Sequence, residues 1–169
     1  VTRVGFTAGN LIPGNVYYKA QKLREMVRRE VLTAFEDVDV LVAITNSVEP
    51  VITGDMVEPG MHINAAGNNS WMKRELDTMV VAKADLVACD DIDQSRIECG
   101  ELMRAVETGH FAWESLVRLD RIVAGLRTAR YSDDDITLFE SQGVAFEDIA
   151  VCGRIYELAL EQGIGTELP

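Results

Sequence analysis

Three short polar segments are the places in this chain where chemistry can be done. They are Thr45-Asn46-Ser47, Gly67-Asn68-Asn69-Ser70 and Ser141-Gln142-Gly143. Each offers hydroxyl, amide or bare backbone groups that can hydrogen-bond a polar ligand. Each also follows an apolar run. Gly67 has no Cβ, so a ligand can approach its backbone closely. Lys73, a few residues further on, adds a positive charge. Ordinary strand-to-helix turns use the same residue types, so on pattern alone both readings stay open.

The other candidates carry less. His62 and His110 are the only histidines and stand far apart in the chain; His62 opens an apolar run and reads as structural. Asp90-Asp91 and Asp133-Asp134-Asp135 have the acids for a hard cation. They lack the alternating ligands and glycine bend of a calcium loop, and read as solvated loop acids. Cys89, Cys99 and Cys152 are an odd number at wide spacing, with no CxxC pair. That argues against a zinc site or a disulfide framework and for free thiols in a reducing compartment, the cytoplasm. Trp71 reads either as a cover for a ligand cleft or as packing, and Trp113 as core or interface.

The elements that must position the three segments are legible as alternating apolar runs. Residues 38–44, 61–66, 84–89 and 136–139 are short apolar runs, the first three suited to strands buried on both faces. Helices are expected over about 73–83, 94–107 with Asp93 as its cap, 113–124 and 144–162. The last has Phe146, Ile149, Cys152, Ile155, Tyr156, Ala159 and Leu160 as its apolar face and Gly163 as its stop. Ahead of these, residues 1–14 read as irregular lead-in. An amphipathic helix runs from the Asn15 cap to about Phe35, with Val16, Ala20, Leu23, Val27 and Val31 on one side. Strands alternating with helices imply an α/β fold: a partial, Rossmann-like, doubly wound parallel sheet with flanking helices. In such sheets ligands sit beyond the C-terminal ends of the strands, where the three polar segments fall. The expected organisation is 1–37 as lead-in and helix and 38–169 as the partial nucleotide-binding domain.

Composition narrows the partners. Of 169 residues, 47% are apolar, enough for a packed core, and the net charge is −12. So acidic a chain argues against DNA, RNA or an anionic membrane, each of which needs clustered Lys and Arg. No apolar run approaches the ~20 residues that span a bilayer.

The segment from His62 to Asp77, His-Ile-Asn-Ala-Ala-Gly-Asn-Asn-Ser-Trp-Met-Lys-Arg-Glu-Leu-Asp, resembles a stretch of the ornithine cyclodeaminase/μ-crystallin family. Ser47-Val48-Glu49-Pro50-Val51, Ala84-Asp85-Leu86-Val87 and Glu98-Cys99-Gly100-Glu101-Leu102 continue in register. So does Ile136-Thr137-Leu138-Phe139-Glu140-Ser141-Gln142-Gly143. The resemblance covers residues 39–169. It implies NAD or NADP as cofactor, a small amino- or imino-acid substrate, and allows a homodimer. By resemblance, Thr45 and the backbone from Ala66 through Gly67 to Asn68 line the cofactor cleft, Lys73 faces it, and Ser141 lies near the nicotinamide. The family's catalytic Asp falls on Asn69, or on Asn68 if the register slides by one. An amide cannot act as a general base, and losing a positioned one costs roughly 10²–10⁴ in rate.

Two further features bear on the expectation. No GxGxxG or GxGxxA occurs in the sequence, so the usual dinucleotide phosphate loop is not found in it. The family's substrate domain, with its substrate-binding Lys, is likewise not recognisable. Residues 5–42 instead resemble a late segment of amidase-signature enzymes, on Tyr18-Lys19-Ala20-Gln21 and Ala34-Phe35-Glu36-Asp37-Val38-Asp39-Val40-Leu41, which suggests a fusion near residues 38–42. Three readings follow: an NAD(P)-dependent enzyme with impaired activity, a non-catalytic binding or structural remnant, or an amidase-related protein. Asn69 and the missing phosphate loop bear on the first two, and the lack of Ser/Lys hydrolase machinery weighs against the third.

Overall fold

The computed structural model describes residues 39–166, together with Lys19, Lys22 and Met26, which are helical and exposed. Apart from those three residues, the lead-in and amphipathic helix expected before residue 38 lie outside the described residues. The chain divides into two compact units between Val38 and Asp39, and the second holds the sheet.

That sheet has five parallel strands: β1 (Val40–Ala43), β2 (His62–Ala65), β3 (Leu86–Cys89), β4 (Val117–Arg118) and β5 (Thr137–Glu140), in the spatial order β1-β2-β5-β3-β4. The helices are α1 (Thr78–Lys83), α2 (Ile92–Glu98), α3 (Gly100–Glu107), α4 (Leu119–Val123) and α5 (Ala145–Gln162). The α/β architecture with a parallel sheet and flanking helices agrees with the sequence. Register places Ala43, Ala65, Glu140 and Cys89 side by side in one row, so four neighbouring strands end together.

The strands form where β-branched and small apolar residues fill a sheet interior. β3 is buried at every residue. Ile63 and Leu138 pair across β2 and β5 and are almost wholly buried, as are Leu76, Val80 and Leu102 beneath them in sequence. β1 departs from expectation. Leu41 and Ala43 point into the core, but Val40 and Val42 are 52% and 61% exposed, so this strand is buried on one face only.

Helix boundaries shift for identifiable reasons. The expected 73–83 helix starts at Thr78, because Leu76 is extended and bridges Ile52, and the Glu75 carbonyl accepts from the N–H groups of Val51 and Ile52. Asp77 then caps α1 by accepting from Met79 and Val80. The expected 94–107 helix is two helices that break at Cys99, and its cap is Asp91, not Asp93, accepting from Gln94 N. β4 lies inside the span expected to be helical over 113–124, which it splits into a 3-10 turn at Trp113–Ser115 and α4. The closing helix matches: α5 ends at Gly163, whose φ of +64° is the left-handed stop. Its expected burial does not match, since no residue of α5 is buried, and Phe146, Ile149, Ile155, Tyr156 and Leu160 are all exposed.

Candidate functional site

The row of strand ends brings the three polar segments to one edge of the sheet. Thr45 follows β1, Ala66 and Gly67 follow β2, and Ser141 follows β5, on three consecutive strands. Hydrogen-bonded strands lie about 4.8 Å apart, so the segments are close neighbours. Thr45, Asn46, Ala66 and Asn69 are exposed there, while Gly67, Lys73 and Ser141 are half-buried. Ala66 N donates to Ala43 O at 2.8 Å and Ser141 N to Ala65 O at 2.9 Å, extending the ladder by one residue past the strands.

A buried carboxylate that the sequence did not single out holds two of these segments together. Glu75 is fully buried. Its Oε1 accepts from Thr45 N and its Oε2 from Gly67 N at 2.8 Å. The reason for glycine at 67 follows. A Cβ there would run into the backbone of Thr45 and stand 2.6 Å from Glu75 Oε1. The space is thus taken by the neighbouring loop and not left for a ligand, and the Gly67 N–H is committed to Glu75. The expectation of open backbone at Gly67 does not hold on its Cβ side or at its N–H.

Glu75 is held in turn. Its own N–H donates to Glu101 Oε1, and Asn68 Nδ2 donates to Glu101 Oε2 and to Lys73 O. Asn68 Oδ1 accepts from Ser70 N at 2.9 Å. Asn68 is therefore a buried tie within the loop, whereas Asn69 is exposed. Of the two registers for the acid–base position, Asn69 is the one that faces solvent. Gly100 completes the packing, because a Cβ there would collide with the carbonyls of Lys73 and Trp71. Trp71 itself is 63% exposed, so it does not pack into the core.

The third segment has its own carboxylate. Asp90, directly after β3, is buried and its Oδ2 accepts from Ser141 Oγ at 3.0 Å, Gln142 N at 3.0 Å and Gly143 N at 2.9 Å. Asp90 is thus an internal anchor and not a solvated loop acid. Asp135 does the same work in its exposed loop. It accepts from Tyr131 N and Ser132 N, and those two donors hold its carboxyl below the usual aspartate range. His62 bonds Thr137 Oγ1 at 2.8 Å and Asn64 Oδ1 at 3.2 Å, the structural role its position suggested. Trp113 is half-buried with the Arg96 guanidinium 5.8 Å from its ring centre.

The Lys73 ammonium bonds Asn46 Oδ1, which links the β1 and β2 loops a second time and leaves further N–H donors on Nζ. The exposed side of this edge therefore presents Thr45, Asn46, Asn69 and Lys73: hydroxyl, amides and one cation.

The model of the ornithine cyclodeaminase/mu-crystallin family matches residues 18–163. The chain belongs to that family. An alanine dehydrogenase from Archaeoglobus fulgidus is 40% identical over 131 residues, which are 77% of this chain and 40% of that protein. The solved structure of an archaeal alanine dehydrogenase dimer with bound NAD is similar with a TM-score of 0.68 and 39% identity, over 78% of this chain and 41% of that one. The Thermococcus litoralis Δ1-pyrroline-2-carboxylate reductase, solved with NADH and L-proline, has a TM-score of 0.74 and 30% identity, over 94% of this chain and 51% of that one. The chain thus spans about two-fifths to one-half the length of these family members. The family match starts at residue 18, within the segment that resembles amidases. It assigns the helix region and the sheet to one family, so the amidase resemblance and the fusion near residues 38–42 lose their support.

Proposed function

We propose that residues 39–166 form the nicotinamide side of an NAD(H)- or NADP(H)-binding cleft, in a protein that acts on amino or imino acids. The observation that carries this reading is the single row of strand ends. There Thr45, Ala66 and Ser141 stand on adjacent strands, with two buried carboxylates fixing the loops. Support also comes from the NAD and NADH reported for the archaeal alanine dehydrogenase and the Thermococcus reductase. The dimer reported for the former supports a homodimer.

The exposed groups suit the nicotinamide end of the cofactor. Thr45 and Asn46 can bond a carboxamide or ribose hydroxyl, and Lys73 can meet negative charge. They do not form a pyrophosphate cradle, which needs a run of free backbone N–H groups at a helix N-terminus. The N–H groups of Thr45, Gly67, Gln142 and Gly143 are already spent on Glu75 and Asp90. The cofactor, when bound, would supply hydride chemistry; this chain's residues would orient the ring and exclude water beside Ser141. Asn69, exposed at the acid–base position, can bond a substrate but cannot take its proton.

Each charge-assisted hydrogen bond contributes about 1.5–3 kcal/mol, so if the described residues are all that meets the pyrophosphate, two or three fewer weaken binding at least ~10²-fold from a micromolar site. Calorimetric titration of the chain with NADH and NADPH should return dissociation constants weaker than about 100 μM. A constant of a few micromolar would show a complete cleft and overturn this account of its phosphate side.

A further inference from the structure

Glu140 closes β5, between Ala65 of β2 and Cys89 of β3, and is buried. Its Oε2 meets only the Cys99 thiol, at 3.5 Å, and its Oε1 has no hydrogen-bond partner. The groups packed around it are Glu101 from α3, Cys99 from the break between α2 and α3, Glu75 from the loop after β2, and Asp90 and Cys89 from β3 and its end. None of these is basic, and no ion pair among the described residues involves Glu75, Asp90, Glu101 or Glu140. A buried carboxylate without a cation or strong donors neutralises itself instead of staying charged. Burial, then the Glu101 charge, push the Glu140 carboxyl well above the glutamate range.

Ligand atoms of Glu140, Glu101 and Cys99 all lie within 4.8 Å of one another. Glu101 is the member able to stay charged, because its two oxygens accept from Glu75 N and Asn68 Nδ2, whereas Glu140 receives only a weak thiol. Three such groups also match the spacing of a divalent metal. However, both Glu101 oxygens are already bonded, the burial pushes the Cys99 thiol up, and a sealed site with three protein ligands has no fourth.

We propose that Glu140 is a positioning residue for the nucleotide cleft, acting as a neutral acid beside Glu101. The link runs from Glu140 to Glu101 past the Cys99 thiol, which is 3.5 Å from Glu140 Oε2 and 3.8 Å from Glu101 Oε2, then from Glu101 to Asn68 and Glu75, and from Glu75 to Thr45 and Gly67. It rests on the cleft reading only at its last step. Ionising Glu140 places a second charge against Glu101, loosens the Glu75 clamp and releases both loops.

The test compares the full chain with Glu140→Gln, which keeps the shape but cannot ionise. The amide NMR signals of Thr45 and Gly67 are followed from neutral to alkaline pH without cofactor. NADH affinity is measured over the same range. In the unaltered chain the two amides should shift together through one alkaline transition, and NADH binding should weaken about tenfold across it, the worth of one hydrogen bond to a charged group. Both changes should vanish in Glu140→Gln. The same transition persisting in Glu140→Gln, for which Cys89 with its thiol pushed up to about 11 would be the source, overturns the proposal. So do flat amides in the unaltered chain, or Zn²⁺ uptake that Glu140→Gln abolishes. No NADH binding at any pH, with the amide transition intact, sinks the cleft reading and leaves the link from Glu140 standing.

Discussion

Replacing Glu75 by glutamine should destabilise the chain by at least about 2 kcal/mol, and the figure can be built from the contacts. The carboxylate takes one backbone N–H on each oxygen, from Thr45 and Gly67. Bonds to a charged group contribute about 1.5–3 kcal/mol each, a neutral one about 1 kcal/mol. Glutamine can accept one of the two and must turn its own NH₂ toward the other, leaving a buried donor unpaired at about 1–3 kcal/mol. Against that, the variant removes the repulsion between Glu75 and Glu101, a partial offset. The balance is a loss of at least about 2 kcal/mol, which for a chain of this size lowers the melting temperature by about 4 °C or more. Urea and thermal unfolding followed by circular dichroism measure it, and hydrogen exchange at Thr45 and Gly67 should accelerate more than at Ile63 in the sheet centre. A variant within about 0.5 kcal/mol of the parent would show that the loops do not hang on this residue.

Thiol labelling of the native chain should modify Cys152 first and alone: it is exposed, while Cys89 and Cys99 are buried. Burial pushes the Cys89 thiol up to about 11, so labelling there should stay slow at neutral pH, and all three should react in denaturant. Rapid modification of two or more sites without unfolding would contradict the packing. The chain should release no ammonia from ornithine above background with NAD present, and Asn69→Asp should not restore the activity by itself; a coupled ammonia assay decides both.

The four apolar strands could be read from the sequence because each is a compact β-branched or apolar run bounded by small polar residues. The fifth, Val117–Arg118, could not, because two residues carry no period. The placement of Thr45, Gly67 and Ser141 at one sheet edge was legible from their position just after strands. The clamp was invisible, since Glu75 sits in a Lys-Arg-Glu-Leu-Asp stretch that reads as solvated helix. Only the tertiary fold shows that this acid, and not its charged neighbours, turns inward. Asp90 left a fainter signal, an acid directly at a strand end. The same limit explains α5: amphipathic spacing reports an apolar face, not what lies against it.

That face has a colloidal consequence. α5 turns Phe146, Ile149, Ile155, Tyr156 and Leu160 to solvent, and β1 adds Val40 and Val42. What keeps two such molecules apart is the long-range repulsion of a net charge of −12. Repulsion of this kind reaches about 10 Å at 0.1 M salt and about 3 Å at 1 M, while apolar attraction is not weakened by salt. Dispersion of the chain is thus a contest that the ionic medium decides: dilute neutral buffer favours separate molecules, and concentrated salt or acid, by hiding or neutralising the carboxylates, favours clusters.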